Sequence, residues 1–154
     1  LLEIYAKRSV AERPAFPTPD SDFASFEATF PYQETDDQLR AIHDVLKDMG
    51  KPHPMDRLIC GDVGFGKTEV AMRAAFHAVH GKKQVAIIAP TTVLTFQHLE
   101  NFKKRFGKWP IDIRSLNRFV PANEIKKTLA DLKSGQVDIV IGTHRLLSQD
   151  VQFK

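Results

Sequence analysis

The chain has 154 residues, 42% of them hydrophobic and 27% charged, with a net charge of +3. That composition is ordinary for one soluble globular domain able to bury a core. No apolar run approaches the roughly 18 residues a membrane span needs, and LLEIYAKRSV at the N-terminus lacks the apolar core and cleavage site of a secretory signal. The single cysteine, Cys60, excludes an internal disulfide and suits a reducing, cytoplasmic setting.

In chain order, residues 1–8 read as the end of a helix, with Leu1, Leu2 and Tyr5 able to share a face. RPAFPTPDSD follows, and its three prolines, Pro14, Pro17 and Pro19, mark a linker. Phe23, Phe26 and Phe30 fall at spacings of three and four, which predicts a short helix docked on the core. Thr35 opens a cleaner helix: TDDQ has the capping-box form, Leu39, Ile42, Leu46 and Met49 make the apolar stripe, and Gly50 ends it. The apolar run Leu58–Cys60 predicts a short buried strand that stops at Gly61, with Cys60 a small buried residue at its end.

Residues 67–80 contain no Pro or Gly and are rich in Ala, which predicts a helix closed by Gly81. Gln84–Pro90 reads as a second buried strand. A helix beginning at Thr91 or Thr92 follows, outlined by Val93, Phe96 or Gln97, Leu99 or Glu100, Phe102 and Phe106. Residues 111–116 alternate as a strand, Ile125, Leu129 and Leu132 mark a helix ending at Gly135, and residues 137–142 form a fourth strand. Helices alternating with short apolar strands predict an α/β fold with a parallel sheet covered on both faces. His77 and His80 share a helix face, but no third ligand is spaced to join them in a metal site.

Charge is unevenly distributed. Residues 103–133 hold nine Lys or Arg and three acids, a net +6, and the rest of the chain is −3. The imbalance fits either a polyanion at this surface or solvated helix faces.

The strongest motif is Gly61-Asp62-Val63-Gly64-Phe65-Gly66-Lys67-Thr68, which has the spacing of a phosphate-binding loop. Glycines permit positive φ and close backbone approach. Successive N–H groups then form a concavity for anions at a helix N-terminus. Lys67 is placed to neutralise the β- and γ-phosphates, and the Thr68 hydroxyl to ligate magnesium, which makes these two the catalytic candidates. The loop by itself specifies a nucleotide but not which one.

Upstream, Gln38 offers an amide that matches the N6/N7 edge of adenine, or it serves only to close the capping box. Phe30 or Tyr32 could stack on the base. Downstream, Thr91 and Thr92 stand where a strand gives way to a helix, and Thr143, His144 and Arg145 repeat that arrangement. With Arg118, these are candidate contacts to a nucleic-acid backbone, the threonines doubling as helix caps.

Gln38, the phosphate loop, APTT and GTH, in this order, resemble lobe 1 of superfamily 2 helicase motors. DRLICGDVGFGKTEVAMRAAF, PTTVLTFQHLENFKKRF and IGTHRLLSQDVQFK are similar, over essentially the whole chain, to the transcription-repair-coupling-factor (Mfd) family. The phrase VLTFQH departs from that family's usual wording while keeping its helical pattern. The resemblance implies part of a RecA-like ATP-binding lobe, motor lobe 1, over residues 30–154, preceded by a connector helix and Pro-rich linker over residues 1–29. It implies ATP and Mg as cofactors. It also implies a parent that translocates on double-stranded DNA, displaces stalled RNA polymerase and recruits repair through UvrA, in the cytoplasm.

By the same resemblance, a DEEH box and a second lobe with an arginine finger would lie after Lys154, so the isolated chain is expected to lack turnover. The alternatives are a RecG- or PriA-like fork-processing helicase lobe and a non-catalytic nucleotide- or partner-binding module. Oligomeric state is not written in the sequence.

Overall fold

The computed structural model describes Ala6 and residues 10–154. The expected lead-in helix over residues 1–8 lies, apart from Ala6, outside the described residues. The chain divides into two compact units, Leu1–His77 and Ala78–Lys154.

In the first unit the Pro-rich linker has no regular structure but is tied down. The Phe16 N–H donates to the Met49 carbonyl (3.1 Å), and the Arg13 guanidinium donates to the same oxygen (2.9 Å). Helix α1, Ser21–Ala28, starts at Asp20, whose carboxylate accepts from the Asp22 and Phe23 N–H groups. Its Phe23 and Phe26 are buried, with Phe26 stacked on Phe76 at 4.2 Å between centroids.

Helix α2, Asp36–Met49, opens with the expected capping box: Thr35 Oγ1 accepts from the Gln38 N–H, and Gln38 Oε1 accepts from the Thr35 N–H. Its buried residues are Ile42, Val45 and Met49. Leu39 is 49% exposed, so the packed face occupies the C-terminal part of the helix and takes in Val45 where the stripe had Leu39.

Leu58–Cys60 is not a strand, contrary to the sequence reading. Leu58 is 85% exposed and Cys60 is also exposed. A run this short is held as a strand by ladder hydrogen bonds. The three described strands pair only with one another, and none pairs with these residues. Helix α3, Lys67–His80, runs as its composition predicts and buries Val70, Met72, Ala75 and Phe76.

The second unit is a parallel sheet flanked by helices. Strands β1 (Val85–Ile88), β2 (Ile113–Leu116) and β3 (Ile139–Gly142) lie in the order β1-β3-β2, with Ile139 level with both Val85 and Ile113. Central β3 is buried at every position. β1, expected to be fully buried, alternates instead and leaves Ile88 52% exposed, because it has a described neighbour on one side only.

Helix α4, Thr92–Phe106, packs on β2 and β3 through Thr95, Phe102 and Phe106. Val93 and Phe96, both read as members of its apolar stripe, are 65% and 62% exposed. Helix α5, Ala122–Ser134, ends at Gly135, whose φ of 82° is the left-handed conformation that glycine adopts without strain. Leu116, Leu132, Val137, Val140 and Leu146 form the core of this unit, with Ile125, Leu129 and Val151 packed against it. A short 3-10 turn, His144–Leu147, follows β3.

Candidate functional site

The Gly61–Thr68 loop is solvent-accessible, with Val63 99% and Phe65 57% exposed. Two of its glycines need their freedom: Gly64 has φ 86° and Gly66 φ 69°. A Cβ on Gly66 would also collide with the Gln38 amide. Gly66 has no side chain to cap α3, so no side chain at that position satisfies the first N–H groups of the helix.

Lys67 Nζ lies inside the loop and donates to the Gly61 and Asp62 carbonyls at 2.5 and 2.6 Å. Gln38 closes the loop from α2. Its Nε2 donates to the Phe65 carbonyl at 2.7 Å while its Oε1 serves the capping box. The capping role of Gln38 is therefore formed, and the same amide reaches the Gly61–Thr68 loop. A cavity of 340 Å³ opens here, lined by Thr35, Gln38, Arg57, Gly61, Phe65 and Lys67 among others. Phe30 and Tyr32 meet edge to face at 5.6 Å, with Tyr32 74% exposed.

Sequence reasoning missed one residue of this unit. Arg73 is buried on α3 and donates to Glu69, Glu27 and Glu34. Burial pushes its guanidinium down, but the hydrogen bonds to Glu34 and Glu69, with Glu27 adding its charge, outweigh burial and leave it above its ordinary value. The Glu69–Arg73 pair was legible at i,i+4 spacing. Glu27 and Glu34 come from 46 and 39 residues away, and no local signal announces them.

In the second unit the candidate nucleic-acid contacts follow the C-terminal ends of β1, β2 and β3, which share one edge of the sheet because the strands are parallel. Thr91 caps α4, its hydroxyl accepting from the Leu94 N–H at 3.2 Å, and Thr92 is half-buried. Thr143 is buried and its hydroxyl faces the Arg145 N–H, while His144 is exposed. Arg145 grips Asp150 through both terminal nitrogens, at 2.7 and 2.6 Å, and this pair holds the Asp150 carboxyl below its ordinary value. Arg118 is exposed and lies over the Phe119 ring at 4.9 Å.

Within the basic stretch, Arg114 is paired with Asp112 and Asp131, whereas Lys103, Lys104, Lys108, Lys126, Lys127 and Lys133 are exposed. His77 is buried against Phe16 and Phe23. Among the described residues no group of three His, Cys, Asp or Glu could hold a metal ion, and no helix is long and apolar enough to cross a membrane.

Comparison with known proteins agrees with this architecture. The family model for DEAD/DEAH box helicases matches residues 35–154. Transcription-repair-coupling factors of Bacillus subtilis (strain 168) and Escherichia coli (strain K12) are 56% and 53% identical over 100% of the chain. The chain spans 13% of the length of each of these relatives. A solved structure of RecG bound to a three-way DNA junction superposes with a TM-score of 0.91 and 34% identity, over 99% of this chain and 21% of that one, so the lobe is RecA-like.

Proposed function

From the premise that this chain belongs to the DEAD/DEAH box helicase family, we propose that residues 30–154 are the first lobe of an ATP-driven motor on double-stranded DNA, with residues 1–29 leading into it. The observation that carries the reading is the open glycine loop at the uncapped start of α3, with Lys67 held inside it. Nucleotide entry exchanges the Gly61 and Asp62 carbonyls on Lys67 Nζ for phosphate oxygens. The loop N–H groups and the first turn of α3 receive the remaining charge. The Thr68 hydroxyl is the residue that would hold Mg, which when bound neutralises charge developing on the phosphates. Gln38 turns its amide from Phe65 toward the base, and Phe30 and Tyr32 supply the stacking faces.

Thr91, Thr92, Arg118, Thr143, His144 and Arg145 contact the DNA backbone in this reading, supported by their common edge of the sheet. Similarity to transcription-repair-coupling factors supports the finer assignment. The whole protein displaces stalled RNA polymerase and couples transcription to nucleotide excision repair through UvrA, in the cytoplasm. Hydrolysis needs acids that place a metal and a water. In this reading the chain by itself binds nucleotide weakly at best and shows no meaningful turnover. The RecG superposition supports a second reading, a fork-processing helicase lobe, at the lower identity of 34%.

Titration of a fluorescent ATP analogue tests the core of the proposal. Lys67→Ala is expected to weaken binding about tenfold or more, the equivalent of ~1.4 kcal/mol. Equal affinity in the two proteins would leave the loop a scaffold.

A further inference from the structure

We propose that Arg73 is a positioning residue for base recognition: its carboxylate cradle sets the register of the base-reading residues against the phosphate loop. The proposal rests on the reading of Gly61–Thr68 as an ATP loop.

Each nitrogen of the guanidinium serves a different stretch of chain. Nε donates to Glu69 at 3.0 Å, on the first turn of α3 next to Thr68. Nη1 donates to Glu27 of α1 at 2.9 Å, and Nη2 donates to Glu34. The guanidinium also lies over the Phe30 ring, 5.5 Å from its centroid. A planar fork of donors is the chemistry that can hold several carboxylates in fixed relation. An ion cluster around a buried guanidinium adds little stability over apolar packing, so its value lies in fixing one arrangement.

The arrangement fixed is that of the base-reading residues. Glu34 immediately precedes Thr35, Thr35 and Gln38 close the capping box, and the Gln38 amide meets the Phe65 carbonyl. Phe30, held against Arg73, carries Tyr32 at its edge. The phosphate half of the site is anchored separately, by Lys67 on the Gly61 and Asp62 carbonyls. Disturbing the cradle therefore separates two properties: phosphate affinity persists, and discrimination between bases is lost.

The test compares fluorescent ATP and GTP analogues, with inorganic tripolyphosphate as a competitor that reports the loop alone. Glu34→Ala leaves Arg73 paired with Glu27 and Glu69. It is expected to lower the ATP-to-GTP affinity ratio about fivefold, with tripolyphosphate affinity changed less than about twofold. Arg73→Lys keeps the charge but has no planar fork to span three partners. It is expected to shift the ratio in the same direction, and it carries the test alone if Glu34→Ala fails to fold.

An unchanged ratio in the cradle variants, alongside a ratio abolished by Gln38→Ala, overturns the proposal and leaves the base-reading role of Gln38 intact. A ratio that Gln38→Ala also leaves unchanged removes the base-reading role itself, and the proposal falls with it.

Discussion

The first turns of helices α3 and α4 are finished in opposite ways. α4 arrives complete: Thr91 caps the Leu94 N–H, and the Thr95 hydroxyl donates back to the Thr91 carbonyl. α3, from Lys67, is preceded by Gly66, which has no side chain to offer, and the loop there is exposed and bent through two positive-φ glycines. A helix start that satisfies itself is finished as structure. One left open, with an ammonium beside it, is suited to an anion from outside. The difference supports the proposal that a nucleotide enters at the Gly61–Thr68 loop rather than at the threonine-rich turn at Thr91.

The largest expected effect comes from closing the open start. Gly66→Ala forces an L-residue to φ 69° and drives a methyl into the Gln38 amide. Left-handed strain of about 1–2 kcal/mol, added to the clash, is expected to weaken binding of the fluorescent ATP analogue by more than about tenfold. Thr91→Ala opens the closed start instead. It is expected to cost ~1 kcal/mol of stability in a urea melt and to leave ATP-analogue affinity unchanged.

A smaller effect sharpens the view of the sheet edge. Asp150→Asn removes the carboxylate that occupies Arg145, and duplex DNA binding measured at low salt is expected to strengthen by about two- to threefold. The gain should fade as salt rises, because phosphate contacts release counterions. The smallest effect lies at the far end of α2. Hydrogen bonds from Lys51 and Arg57 hold the Asp48 carboxyl below 3.8. A depressed carboxyl contributes stability in full above its ordinary value and loses it as pH falls through the folded-state value. Asp48→Asn is therefore expected to cost about 0.5 kcal/mol at pH 7. The gap between the two proteins should close as the pH falls through that lowered folded-state value.

Features set by neighbours in sequence were legible before the structure. The Thr35 capping box, the glycine end of α5 at Gly135 and the Gly61–Thr68 loop each need only a few consecutive residues, and each appears where the pattern placed it. Features set by distant partners were not. Leu58–Cys60 has the composition of a strand, but a strand exists only with a ladder partner. Val93 and Phe96 fit a helical stripe, yet α4 presents Thr95, Phe102 and Phe106 to the sheet, and only the packing geometry makes that choice. Nothing local marks Arg73 beyond Glu69 four residues before it. Two of its three carboxylates come from outside that helix, and burial of its guanidinium cannot be read from the i,i+4 pair.

The central claim is that the loop before α3, and not the turn before α4, receives the triphosphate. Amide-resolved NMR of the 154-residue chain during titration with Mg-ATP reads both at once. The account predicts large shifts at the backbone amides of Gly64, Gly66, Lys67 and Thr68 and at the Gln38 side-chain amide, with Leu94 and Arg145 unmoved. Loop amides that stay in place while those at Leu94 or Arg145 shift would contradict it.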